Sequence, residues 1–476
     1  MSPLRLQFLL PILQTCRILP DCGVEMTTTL VYGLAIAGRA VAKELVSRGQ
    51  CVVLADDSIE DSAIEAHNTF AHELGARFVS SPDARQLQEI IDQVDQVSPS
   101  PGVPEEHQVI EFSKSKNKFI ASEIELAYQL EQLAPTPRPM VAVTGTDGKT
   151  TTTLMAAAIL SASGLRALAV GNTELPLIAS LSSDAQAFAV ECSSFRLAYT
   201  KKFRAKASVW LNLAPDHLDW HTSFDSYKSA KAQMWAHLRG DDVAVVPQND
   251  DAIIAIAKQS GARIVSFGSD SGDYHVSHGI LNSPTGEIMN VAEMRRSLPH
   301  DITNALAAAA ITIESGLATK NDVALALAEF VNAPHRIELV ATCGGIAWYN
   351  DSKATSPHAS KVALRSFDSI VLIAGGKNKG LDLSEMACQP NAMRAVVAIG
   401  AAQKEIQGAF SAVCEVRTAN SMHEAVLTAN ALAKPGDVVL LSPGCTSYDW
   451  YANYGQRGDD FAREVKALVA TAQVNQ

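Results

Sequence analysis

Val141-Ala142-Val143-Thr144-Gly145-Thr146-Asp147-Gly148-Lys149-Thr150 decides the reading of this chain. The apolar, β-branched run at its start reads as a buried strand, the two glycines open a loop, and the Thr- and Ala-rich segment from Lys149 reads as a helix. A strand that breaks into such a loop at a helix N-terminus makes a phosphate cradle. The glycines let backbone N–H groups face the ligand, and the helix end adds partial positive charge. Lys149 is placed to neutralise β- and γ-phosphate oxygens, with the Thr150 hydroxyl on Mg²⁺. The spacing departs from the usual GxxxxGK[ST], because Val143 stands five positions before Gly148 and the upstream glycine is Gly145. An ordinary strand-to-helix turn is the alternative.

Upstream, Ala134-Pro135-Thr136-Pro137-Arg138-Pro139 cannot continue a helix and reads as an extended linker, which puts a domain boundary there. Before it, a strand at Leu30–Tyr32, a helix to about Arg48 and a second strand at Cys51–Ala55 make a βαβ unit. Its turn, Gly33-Leu34-Ala35-Ile36-Ala37-Gly38, has GxGxxG spacing with Ala at the middle glycine, and Asp56-Asp57 follows about twenty positions on. Taken alone this is either a nucleotide site or a structural turn. Ser98-Pro99-Ser100-Pro101-Gly102-Val103-Pro104 reads as a rigid loop. The apolar stretch Leu4–Leu19 resembles a secretory signal, but Pro11 interrupts it and no small-x-small cleavage site follows. Met26 is the expected start, with residues 1–25 a possible untranslated extension.

Downstream, Glu191 ends an apolar strand, where a carboxylate can ligate a nucleotide-bound metal; a solvated strand-end glutamate is the alternative. The loop Asn212-Leu213-Ala214-Pro215-Asp216-His217-Leu218-Asp219 sets a histidine between aspartates, suited to metal or anion, or simply a charged surface loop. In a helix expected from about Phe224 to Leu238, Tyr227, Met234, Trp235 and Leu238 lie within about 60° of Lys231 on the helical wheel. An ammonium in an apolar stripe must be paired, neutral, modified or snorkelling. A neutral amine can add CO₂, and the carbamate is an oxygen ligand for Mg²⁺. A second break falls near Asn332-Ala333-Pro334, and the apolar runs Ile370–Ala374, Ala395–Ile399 and Val438–Leu441 alternate with helical segments in a third, mostly parallel α/β domain. His335-Arg336, Asn350-Asp351-Ser352-Lys353, Gly375–Gly380 and Ser442–Asp449 present donors after its strands, as structural turns or as a small-anion site.

The 476 residues suit about three domains. With 47% hydrophobic and 19% charged residues the composition is globular, and no apolar run is long enough to span a bilayer, so no membrane partner is expected. A net charge of −12 argues against nucleic-acid binding. Eight cysteines without a CxxC pair indicate neither zinc nor a disulfide framework, and a cytoplasmic location is expected.

TGTDGKT, Glu191 before CSSF, GNTELP at Gly171, NLAPDHLD, SYKSAK, PHDITNALAA, PHR and NDSKAT occur in one order that resembles the Mur ligase family from about Thr29 to the C-terminal helix. The ending SPGCTSYDWYANYGQRGDDF is similar to the pattern of the D-glutamate-adding branch, and the DNPR motif of the diaminopimelate-adding branch is missing. The resemblance implies an α/β protein of three domains: a Rossmann-like UDP-sugar domain (26–137), a P-loop ATPase-like central domain (138–332) and a Rossmann-like C-terminal domain (333–476). It implies ATP, two Mg²⁺ ions and CO₂ for lysine carbamylation, with UDP-N-acetylmuramoyl-L-alanine and D-glutamate as substrates, and a monomer. Gly145, Thr146, Asp147, Gly148, Lys149, Thr150, Thr151, Asn304, Arg336 and Asp351 would serve ATP. Thr150 and Glu191 would hold one metal, His217 and carbamylated Lys231 the other, and Lys353 would join Lys149, His217 and Lys231 in catalysis. Leu34, Ala35, Ile36, Ala37, Asp56, Gly102, Asn172 and His217 would face the UDP-sugar; Lys379, Thr355, Ser447, Tyr448 and Tyr454 would engage D-glutamate. Ser58 stands where an arginine often holds the uridine end, and Thr146-Asp147 replaces a common Ser-Asn. The competing classes are a dinucleotide-dependent oxidoreductase on the first βαβ unit and a noncatalytic NTP-binding module.

Overall fold

The computed structural model describes residues 27–57, 60–172 and 175–474; the Met26 start, the extension before it and Ser58 lie outside the described residues. The first sheet is built around Thr28–Tyr32, five buried residues in a row. Cys51–Asp56 and then Arg77–Ser80 lie on one side of it, Gln96–Pro99 and then Phe119–Ile120 on the other, all parallel. Continuous apolar strands rather than alternating ones are what a sheet covered on both faces requires. The helix Ile36–Ser47 leaves this sheet through the Gly33 turn. A Cβ on Gly38 would sit 1.9 Å from the Gly33 carbonyl oxygen, so only glycine lets the helix pass so close to the strand end.

The second sheet has six parallel strands, in the order Arg263–Phe267, Val243–Pro247, Ala207–Trp210, Met140–Thr144, Ala187–Glu191, Ala167–Gly171. The phosphate-loop strand is thus central, and its neighbours end in Glu191 and lead into Asn212. The helix Lys149–Ala162 and the Ala-rich helix Pro299–Glu314 pack on one face, where Ala305–Ala310 are buried against Val141 and Val143. The proline-rich stretch is pinned: Arg138 forms an ion pair of 2.6 Å with Glu131 and donates to the carbonyls of Leu181, Ser183 and Ala185. Glu125 accepts the backbone N–H groups of Lys201, Lys202 and Phe203. Both sheets belong to one compact unit, which runs through Arg295 and includes Ile302–Phe330.

That unit also carries a small antiparallel meander, His275–Ser277, Ile280–Ser283 and Gly286–Asn290, absent from the sequence reading. The expected helix to Leu238 is also corrected: the α-helix covers Phe224–Ala232 and tightens into a 3₁₀ turn at Gln233–Trp235.

The second unit comprises Arg296–Asp301 and the chain from Val331. Its sheet runs Glu338–Cys343, Ile346–Asn350, Val438–Leu441, Ile370–Gly375, Met393–Ile399, Glu415–Ala419, parallel except for the antiparallel first pair. Among the described residues no helix is long and apolar enough to cross a membrane.

Candidate active site

The phosphate loop follows from its strand. Met140–Thr144 is buried throughout, and the chain leaves it at Gly145 and enters the helix at Gly148. Gly148 has φ +80°, a conformation that strains any other residue, and a Cβ there would lie 2.5 Å from Asn304 Oδ1 and push that side chain aside. The Thr146 and Asp147 N–H groups both donate to Asn212 Oδ1, each at 2.9 Å. Asn304 Oδ1 accepts from Thr152 Oγ1 at 3.2 Å, which holds this expected nucleotide residue beside the loop. Lys149 Nζ donates to Gly145 O (2.9 Å) and Thr146 O (2.7 Å), curling over the loop it serves. Thr150 and Thr151 occupy the first turn of the helix.

Lys231 Nζ donates to the same Gly145 carbonyl at 2.6 Å and lies 4.5 Å from the Tyr227 ring centroid. The side chain is 1% exposed, and Tyr227, Met234, Trp235 and Leu238 are buried with it, so it does not snorkel. Burial first, and the Lys149 charge second, hold its pKa well below the usual lysine range.

Glu191 is buried, not solvated. Its Oε1 accepts from Asn172 Nδ2 at 3.2 Å, while Oε2 and the neighbouring Ser193 Oγ are buried without a hydrogen-bond partner. Two desolvated oxygens at a strand end fit a hard cation, which needs oxygen donors and tolerates few of them from protein when phosphate supplies the rest. Among the described residues no three His, Cys, Asp or Glu side chains gather as a complete metal cage. His217 adopts φ +54°, packs edge-on against Phe195 with centroids 4.7 Å apart, and lies 3.2 Å from Asp216 Oδ2. Burial lowers its pKa below the usual histidine value.

Leu34, Ala35, Ile36, Ala37, Asp56, Gly102 and Asn172 all line one cavity of about 430 Å³ in the first unit. Asp56 Oδ2 accepts from Leu34 N at 2.6 Å, tying the second strand to the turn. His217 does not line this cavity. Arg196, which sequence reasoning missed, does; it pairs with buried Glu123 at 2.8 Å and donates to Gly171 O at 2.8 Å.

In the second unit, Lys353 Nζ donates to Tyr454 OH at 3.0 Å and lies 4.8 Å from its ring centroid. Ser447 is buried, Thr355 is half-buried, and Lys379 and Tyr448 are exposed. Asp351 accepts from Ser442 Oγ (2.7 Å) and Ile337 N (3.3 Å), and burial pushes its carboxyl up to about 7. Arg336 stands beside Ile337 in the same segment. Arg457, also missed, is 1% exposed and joins Ser352 to the Ser442–Asp449 loop, donating to Ser352 Oγ, Ser352 O and Cys445 O at 2.9, 2.8 and 3.0 Å.

Residues 143–312 match the Mur ligase middle domain and residues 335–445 the Mur ligase glutamate ligase domain. A UDP-N-acetylmuramoylalanine–D-glutamate ligase of Natranaerobius thermophilus is 34% identical over 462 residues, covering 92% of this chain and 98% of that protein. The chain belongs to the Mur ligase family. The enzyme of the same name from Thermobifida fusca is 34% identical to this Mur ligase over 466 residues, again covering 92% and 98%. Two solved structures share its fold. The MurF ligase of Thermotoga maritima, in complex with ADP, has a TM-score of 0.59 at 16% identity, covering 88% of this chain and 95% of that one. The UDP-N-acetylmuramate-alanine ligase of the same organism has a TM-score of 0.56 at 20% identity, covering 93% and 99%.

Proposed function

We propose that this Mur ligase uses ATP to join D-glutamate to UDP-N-acetylmuramoyl-L-alanine, a step in building the peptidoglycan precursor. The observation that carries the reading is the meeting of Lys149, Lys231 and the loop strand at Gly145, beside the strand that ends in Glu191. The names of the full-length relatives support the choice of D-glutamate. The three-domain division at 137/138 and 332/333 is part of this reading, as is a monomer. The cavity lined by Leu34–Ala37, Asp56, Gly102 and Asn172 takes the UDP-sugar. The second unit's Thr355, Lys379, Ser447, Tyr448 and Tyr454 take D-glutamate.

The γ-phosphoryl group passes from ATP to the alanyl carboxylate, and the D-glutamate amine then attacks the acyl phosphate and expels phosphate through a tetrahedral intermediate. Lys149 and the loop N–H groups offset charge on the moving phosphoryl group. Thr150 and Glu191 would hold one Mg²⁺, and His217 with carbamylated Lys231 a second; bound there, the ions neutralise phosphate charge. A neutral Lys231 amine forms the carbamate by adding CO₂ at Nζ and releasing one proton, which replaces a desolvated cation with an anionic oxygen donor.

The test offers UDP-N-acetylmuramoyl-L-alanine and ATP with D-glutamate, L-glutamate, L-lysine, meso-diaminopimelate or D-alanyl-D-alanine, reading phosphate release and product mass. Turnover with D-glutamate alone is expected; comparable turnover with another acceptor overturns the specificity. Lys149→Ala should melt like the parent and release no phosphate above background.

A further inference from the structure

Glu105, His221 and Ser194 form a polar chain that the chemistry above does not use. The His221 residue is 2% exposed, its Nε2 lies 2.9 Å from Ser194 Oγ, and its Nδ1 lies 3.5 Å from Glu105 Oε2. Trp220 and Phe195 hold the ring from two sides, with centroids 4.5 and 5.9 Å away. The Nδ1 contact, at 3.5 Å, is electrostatic and not a hydrogen bond. In the neutral ring a proton on Nδ1 faces the Glu105 carboxylate and leaves Nε2 to accept the Ser194 hydroxyl, whereas the other tautomer would aim a bare lone pair at an anion.

Glu105 is also a junction. It accepts from Ser226 Oγ at 2.6 Å and from Thr222 N at 3.5 Å, and its own N–H donates to Trp220 O at 3.2 Å. It stands three residues after Gly102 of the cavity, Ser194 stands three after Glu191, and Ser226 lies in the helix that carries Lys231. One carboxylate therefore ties together the loops of three functional groups.

We propose that Glu105, His221 and Ser194 are positioning residues, a relay that holds the cavity loop in register with the Glu191–Ser194 segment so that a nucleotide-sugar in the cavity presents its carboxylate to the phosphate loop. The inference rests on the ligase reading. Its role is alignment, so it acts on the nucleotide-sugar and not on ATP binding.

The test uses the full-length enzyme with ¹⁵N-labelled histidine, His221→Gln serving to assign the signal. Long-range ¹H–¹⁵N spectra should place the wild-type His221 proton on Nδ1. Glu105→Ala, which removes the oxygen that faces Nδ1, should move it to Nε2 and raise the KM for UDP-N-acetylmuramoyl-L-alanine about tenfold, with the ATP KM within about twofold. Ser194→Ala should raise the same KM and stands in if Glu105→Ala fails to fold. A wild-type proton on Nε2, or a wild-type nucleotide-sugar KM in whichever of these variants folds, overturns the relay. Wild-type enzyme that ligates no D-glutamate instead sinks the functional reading, and the tautomer, measured without turnover, separates the two failures.

Discussion

Lys149 and Lys231 share one acceptor, the carbonyl oxygen of Gly145, at 2.9 and 2.6 Å. Two ammonium groups on a single carbonyl repel each other, and Lys231, the more deeply buried, is the one whose charged form is disfavoured. Neutral Lys231 removes the repulsion and is also the form that reacts with CO₂.

Activity should therefore depend on bicarbonate. Lys231→Ala should lose at least about a hundredfold in kcat and regain measurable rate with formate or acetate, whose carboxylate replaces the lost oxygen donor. Lys231→Arg should stay inactive. Full activity in Lys231→Arg would make the residue a simple cation.

Gly148→Ala should lower kcat/KM for ATP by about two orders of magnitude or more, since both φ +80° and the 2.5 Å approach to Asn304 oppose a Cβ. Adding Asn304→Ala relieves the contact but not the dihedral, so the double variant should not recover. Steady-state kinetics with ATP varied reads the loss in both variants, with a melting curve alongside.

Asp351 makes stability depend on pH. With its folded pKa raised to about 7, well above the unfolded value, the native state holds a proton that the unfolded chain has released over the range between them. Its contribution is fully present below the unfolded pKa and is lost as pH rises through about 7. Asp351→Asn keeps an acceptor for Ser442 and removes the titration. Relative to the parent it should gain about 1–4 kcal/mol at pH 7.5 over its standing at pH 4, measured by denaturant unfolding. A difference between the two proteins that does not change with pH would contradict the raised pKa.

Ser447→Ala should raise the KM for D-glutamate and leave that for ATP unchanged, because it removes one hydroxyl from a buried loop of the second unit without touching the phosphate loop. The reverse pattern would move the amino-acid site elsewhere.

What could be read from the sequence was local or periodic. The phosphate loop announces itself because strand, glycines, lysine and helix are consecutive, and Lys231 because its apolar neighbours repeat at helical spacing. The turn of that helix into a 3₁₀ segment at Gln233 leaves no comparable trace, since both windings bury the same face. The meander escaped because His275–Ser277 and Ile280–Ser283 are short and half polar, although Gly279 and Gly286 mark its turns. Glu105, His221 and Ser194 were invisible for a different reason. They meet only after two sheets have folded: Glu105 sits in no run that distinguishes it, and neither it nor His221 nor Ser194, although Ser194 falls in the CSSF motif, carries a sign of its partners. Arg457 lies in the C-terminal motif that carries the resemblance, but only its burial and hydrogen bonds show that it braces Ser352.

The hexapeptide Arg296–Asp301 belongs to the second unit although the chain on both sides of it belongs to the first. Leu298 packs into the second unit's core, and Arg296 donates to Ile337 O at 2.9 Å. During synthesis these six residues leave the ribosome before any other part of the body they complete, and the first body cannot finish until Ile302–Phe330 has followed them. A fragment begun at Val331 would carry every strand of its sheet and still lack a piece of its core, so dissecting this protein into autonomous pieces requires a graft as well as a cut.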